Sequence, residues 1–103
     1  FTFVENAVEA NIRAAFCTDK NAIGNVFNVA VNERVSINKL ISILKKLTGA
    51  SIDPVHREER KGDVRDSLAD ISKAAKMLGY DPKIKVEEGL TQTLEWFRPR
   101  FGI

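Results

Sequence analysis

The chain has 103 residues, 44% of them apolar and 29% charged, and a formal net charge of +2. That composition suits one globular domain; the charge is too mild to imply nucleic acid or an anionic membrane, and no apolar run approaches the ~20 residues of a membrane span. A single cysteine, Cys17, and a single histidine, His56, exclude an internal disulfide and a usual zinc site and give no sign of secretion, so a cytoplasmic protein is expected.

The chain opens Phe1-Thr2-Phe3-Val4, without methionine or a signal-peptide pattern. Such alternation reads as a short strand and as part of a longer protein. Residues 5–17 place Val8, Ile12, Ala15 and Phe16 on one helical face. A polar loop over 18–25 leads to Val26-Phe27-Asn28-Val29-Ala30, which reads as a short buried strand. Ser36 suits an N-cap, with Ile37, Leu40, Ile41, Leu44 and Leu47 following at helical spacing. Lys45 and Lys46 suit the negative end of that helix, and Gly49 its stop.

A short strand over 55–57 is expected after Pro54. Asp70 can cap a helix with a face of Ile71, Ala74, Ala75 and Leu78, ended by Gly79. Asp81-Pro82 is a turn and residues 83–86 a brief extended piece. Val86, Leu90, Leu94 and Phe97 form a last helical stripe, weakened at Gly89 and stopped by Pro99. The sum is an α/β or α+β unit of about four helices and two or three short strands, without internal repeats or linkers.

The run Arg60-Lys61-Gly62-Asp63-Val64-Arg65-Asp66 is the chemically richest stretch. An arginine fork matches phosphate with two parallel hydrogen bonds. Gly62 lets the backbone turn, and a carboxylate such as Asp63 accepts from sugar hydroxyls. Catalytic groups are otherwise scarce. His56 lacks a nucleophile partner and reads as structural or exposed; Cys17 reads as a small core residue. Tyr80 has no lysine four residues later. The sequence holds no G-x-G-x-x-G turn and no P-loop.

Phe1-Thr2-Phe3-Val4-Glu5-Asn6, Val26-Phe27-Asn28-Val29-Ala30, the block from Arg60 to Ala74, and Leu78-Gly79-Tyr80-Asp81-Pro82 resemble, in order and spacing, the C-terminal third of nucleotide-sugar epimerases. These are extended short-chain dehydrogenase/reductase enzymes. The resemblance covers the whole chain and is nearest to UDP-N-acetylglucosamine 4-epimerases, relatives of UDP-glucose 4-epimerase in surface-polysaccharide pathways.

The resemblance implies an α/β fold class: the small C-terminal lobe, residues 1–103, of a Rossmann-fold, NAD(P)-binding enzyme. NAD and the catalytic tyrosine, lysine and serine or threonine would belong to an N-terminal lobe, so no residue here is assigned as catalytic. The parent would oxidise the sugar reversibly at C4, let it rotate, and return hydride to the other face. The substrate is a UDP-sugar, and a homodimer is implied, with neither nucleic acid nor membrane as partner. In the family's R-x-G-D block the arginine contacts the UDP pyrophosphate and the aspartate the ribose, which assigns Arg60 and Asp63. Lys61 stands where relatives often have proline. A second phosphate-binding arginine of the family would precede Phe1. Arg65 is added as a further substrate-binding cation, with Arg34 a weaker candidate; Asn28 is expected to be structural. Related dehydratases and decarboxylases share the lobe, and a stand-alone, non-catalytic binding module is the alternative from a different class. A small DNA-binding domain is disfavoured by the mild net charge of +2.

Overall fold

Helix α2, Ile37–Thr48, begins and ends where its boundary residues dictate. The Ser36 hydroxyl accepts the Lys39 N–H at 3.1 Å, and Gly49 closes the helix at φ +72°, where a side chain would be strained. The computed structural model describes residues 1–63 and 67–102. It contains three further helices, α1 Val4–Ala15, α3 Ser72–Leu78 and α4 Val86–Phe101, with one 3₁₀ turn at Lys20–Ala22. α1 packs on α3, which also meets the 3₁₀ turn, while α2 packs on α4.

The described residues contain no β-strand, so the two or three expected strands are corrected. A strand needs a neighbour to receive its N–H and C=O groups. Residues 26–30 find side chains instead. Lys73 Nζ donates to the Val26 carbonyl at 3.0 Å, and the Tyr80 hydroxyl to that of Ala30 at 2.9 Å. Asn28 Nδ2 reaches the Asp70 carbonyl at 3.2 Å, the structural role expected of it. Val26 itself is 84% exposed, so the segment is not a buried strand. The opening residues also differ from the expected strand, since α1 already starts at Val4.

α1 is a second correction. Its apolar stripe points outward: Val8 is 49% and Phe16 81% exposed. The buried face carries Asn6 and Ala10 instead. Periodicity finds a stripe but cannot say which side has a partner. Asn6 is buried because its amide behaves like a piece of backbone. Nδ2 donates to the Ile84 carbonyl at 2.7 Å, and Oδ1 accepts the Ile84 N–H at 3.3 Å. Both backbone polar groups of buried Ile84 are thereby satisfied.

Residues 80–86 form the hub of the fold. Tyr80, Pro82, Ile84 and Val86 are buried while the residues between them are exposed, the period-two alternation of an extended segment. No ladder accompanies it; partners come from loops and helices. Asn6 holds Ile84, and Tyr80 holds Ala30. Lys85 Nζ donates to the Val31 carbonyl at 2.9 Å, and Glu33 Oε2 accepts the Val86 N–H at 3.1 Å. That last bond supplies α4 with a remote carboxylate at its N-terminus, where its own cap residue Lys85 gives none. Asn32, at φ +49°, turns the chain between these contacts; asparagine tolerates that conformation better than most residues. Beneath the hub Ala10, Ala74 and Tyr80 make the innermost cluster, with Phe27 and Ile71 against it.

Two glycines have distinct tasks in the C-terminal half. A Cβ on Gly89 would stand 2.8 Å from the Cβ of Phe3. Gly89 therefore lets Phe3 lie against α4, so it is a packing residue rather than a weak point. Gly102, at φ +67°, ends α4. The helix passes through Pro99 to reach it, correcting the expected stop. The missing Pro99 N–H falls in an exposed last turn, where water can take the freed carbonyl. Side-chain pairs span the proline: Phe97 stacks on Phe101 with centroids 4.0 Å apart, and the Arg100 guanidinium lies 4.1 Å over Trp96.

Removing the Asn6 amide strands a buried N–H and a buried C=O at Ile84. At roughly 1–3 kcal/mol for each unsatisfied group, Asn6→Ala should lower stability by about 2–6 kcal/mol, seen as a fall in the urea midpoint with an unchanged slope. Tyr80, the sole tyrosine, gives a second test. Burial, with the Glu9 charge behind it, raises its phenol above the usual 10.0. The unfolded chain then ionises first, so this contribution to stability is complete below about pH 10 and is lost as pH climbs through the raised value. Near-ultraviolet phenolate absorbance should show one titration, above pH 10 in the folded chain and falling to about 10 in denaturant.

Candidate functional site

Between α2 and α3 the chain runs exposed over residues 51–63. Two side-chain contacts tie this loop to α2. Lys45 Nζ pairs with Asp53 at 3.1 Å, and His56 Nε2 lies 2.9 Å from Asn38 Oδ1. The expected strand over 55–57 is absent, and the loop is anchored by these contacts. At its far end a tight turn forms: the Asp63 N–H donates to the Arg60 carbonyl at 3.2 Å. Gly62 occupies the third position of that turn at φ +96°, where glycine is favoured in type II turns.

The turn brings Arg60 and Asp63 together as its first and fourth residues. Both are exposed, and neither side chain bonds another described residue. A guanidinium fork and a carboxylate therefore stand on one short, backbone-constrained loop. Their chemistries are complementary: the fork donates to phosphate oxygens, the carboxylate accepts from hydroxyls. Arg65 lies outside the described residues. Arg34 is exposed two residues before the cap of α2, in a different loop.

Other places offer less. An apolar cleft of about 270 Å³ is lined by Phe1, Phe3, Val31, Leu40, Val86 and Leu90 among others, and includes no residue of the turn. Among the described residues no group of three His, Cys, Asp or Glu could hold a metal ion. No described helix is long and apolar enough to cross a membrane. Cys17, expected in the core, is only half-buried, and its thiol reaches the Met77 carbonyl at 3.4 Å. The remaining perturbed carboxylates are surface features. The Ser72 N–H and hydroxyl lower Asp70, the residue expected to cap α3, and the backbone bond measures 2.8 Å. Lys83 lowers Asp81, and Lys46 lowers Glu87. Sequence reading gave His56 no nucleophile partner and did not find Asn38, because an interaction across 18 residues between two polar side chains leaves no periodic signal.

No protein-family model matches the chain. Over 62 residues it is 44% identical to a UDP-glucuronate 4-epimerase of Thermodesulfobacterium geofontis, a match covering 60% of this chain and 19% of that protein. Its fold superposes on a UDP-glucose 4-epimerase of Thermotoga maritima, solved with UDP-glucose, at a TM-score of 0.87 and 39% identity, covering 97% of this chain and 31% of that one. A UDP-glucuronic acid 4-epimerase of Bacillus cereus, solved with UDP-glucuronic acid and NAD, also gives 0.87, at 31% identity, covering 98% and 32%. UDP-sugar decarboxylases stand among the further relatives. The chain spans a third or less of the length of all these proteins.

The residues described here do not fit NAD. A dinucleotide pyrophosphate sits on a glycine turn at a helix N-terminus. The four helices start from Phe3, Ser36, Ile71 and Lys85, and Gly49, Gly79 and Gly102 all lie at C-terminal ends.

Proposed function

Starting from a chain that matches a C-terminal portion of extended short-chain dehydrogenase/reductases, namely the UDP-sugar 4-epimerases and related decarboxylases, we propose that residues 1–103 are the substrate lobe of an NAD-dependent UDP-sugar 4-epimerase and grip UDP through Arg60 and Asp63. One observation carries the assignment of residues. The turn at Gly62 holds a guanidinium fork and a carboxylate three residues apart, both exposed and neither engaged by another described residue. Anchoring the nucleotide while leaving the hexose unheld suits a reaction in which the sugar must turn over.

The shape of the chain supports its being a lobe. Its radius of gyration is 16.9 Å, against roughly 13 Å for a compact domain of this length. Its accessible surface is 8216 Å², where a compact domain of this mass exposes roughly 5,800 Å². The difference is of the size of a substantial interface. The outward stripe of Val4, Val8, Ile12 and Phe16 supplies apolar surface for it.

The decarboxylases among the relatives favour a second reading, in which the same lobe serves an enzyme that removes a sugar carboxylate. Incubating the intact enzyme with UDP-glucose and with UDP-glucuronic acid separates the two: inversion at C4 against release of CO₂.

The residue assignment is tested by UDP affinity in calorimetry on the intact enzyme that carries this chain. A hydrogen bond to a charged group contributes roughly 1.5–3 kcal/mol, so Arg60→Ala should weaken UDP binding about ten- to a hundred-fold. Arg60→Lys should recover part of that, keeping the charge and losing the fork. Asp63→Asn should cost less, since an amide oxygen still accepts one hydroxyl. Unchanged UDP affinity in Arg60→Ala, with circular dichroism like the parent, overturns the assignment.

A further inference from the structure

We propose that His56 is a positioning residue for this site, and that its bond to Asn38 sets where the Arg60–Asp63 turn is presented. The inference rests on the UDP reading of that turn. The loop leaves α2 at Gly49, and Arg60 lies eleven residues further on. Residues 51–60 are all exposed, so apolar packing does not fix their course. Side-chain anchors must do so, and their strengths differ.

The Lys45–Asp53 pair is a weak anchor. Asp53 is 96% exposed, and such ion pairs contribute little. The His56–Asn38 hydrogen bond, 2.9 Å, is also exposed, but it is shorter than the 3.1 Å Lys45–Asp53 bond, joins two shorter side chains with less freedom to lose than lysine's, and sits three residues nearer the turn. The Asn38 amide oxygen can only accept, so Nε2 carries the proton and donates. This acceptor belongs to the first turn of α2, the best-capped helix of the chain, where Ser36 already ties down Lys39. The Asn38 backbone carbonyl is engaged as well, by the Ser42 hydroxyl at 2.9 Å. The anchor point is thus fixed on both sides.

The consequence is a change in free chain length. With His56 bonded, Arg60 lies four positions beyond the anchor. Without it, Arg60 lies seven positions beyond Asp53 if that pair still holds, and eleven beyond Gly49 if it does not. The ensemble an unanchored loop must give up on binding grows as about the three-halves power of its length. Releasing His56 should therefore weaken ligand capture by about two- to five-fold, through loop ordering and not through any contact between His56 and UDP.

The experiment is calorimetric UDP binding and steady-state kinetics on the intact enzyme. The variants are His56→Ala, Asn38→Ala, their double, His56→Gln and Arg60→Ala. The expected result has four parts. His56→Ala and Asn38→Ala each weaken UDP binding two- to five-fold, and the double is no worse than either single. KM rises while kcat holds, and the melting temperature stays that of the parent. His56→Gln, whose amide N–H can donate to Asn38, recovers most of the affinity. If Arg60→Ala weakens UDP binding but His56→Ala leaves it unchanged, or the two single losses multiply in the double, the positioning role is overturned and the UDP reading stands. If Arg60→Ala leaves UDP affinity unchanged, both fall together, since His56 then has no phosphate contact to place.

Discussion

The paired hydrogen bonds between the Asn6 amide and the Ile84 peptide unit hold the two halves of this molecule to each other. Everything else in the hub depends on residues 80–86 lying where that pair puts them. Once Ile84 is fixed, Tyr80 can reach Ala30, Lys85 can reach Val31, and Val86 can present its N–H to Glu33. A side-chain amide suits the task because it carries a donor and an acceptor at the spacing of a peptide group. An apolar residue at position 6 would fill the space and leave two buried polar groups unpaired. The thin body, 17 Å along its shortest axis, has too little apolar core to absorb such a loss.

What could be read from the sequence was local. Ser36 and Gly49 bound α2 because a hydroxyl acceptor and an αL glycine act on their own neighbours. Gly79 ends α3, and Gly62 makes its turn, for the same reason. Asp70 engages the first turn of α3 as expected, though the cap position itself falls on Ile71. What could not be read depended on partners. Residues 26–30 have strand composition, but composition cannot provide a neighbouring strand. The stripe of α1 is real and faces outward. Pro99 should have stopped α4, and aromatic and cation–π pairs carry the helix past it. In the first two cases the position of partners decided the outcome; at Pro99 it was side-chain pairs four residues apart on the same helix.

The candidate site follows the same division. The turn was legible because Arg60, Gly62 and Asp63 are close in sequence. The anchor that holds it was not, because Asn38 and His56 meet only through the path of the loop. The apolar cleft of about 270 Å³ and a larger one of about 550 Å³ beside Lys73 and Lys76 both lie elsewhere. Cavity size alone would have led away from the charged turn, whose chemistry is the more specific signal.

The Asn6–Ile84 contact also sets an order of events during synthesis. Its partners are 78 residues apart, and at about 5–20 residues per second roughly 4–16 s pass between the making of one and the other. Until Ile84 emerges, α1 has no dock, and a twelve-residue helix is marginal in water by itself. The face that Asn6 and Ala10 will bury is therefore open to other chains, or to chaperones, for that whole interval. A ribosome pause before residue 84 would lengthen the exposure of the first helix, far from where the pause occurs.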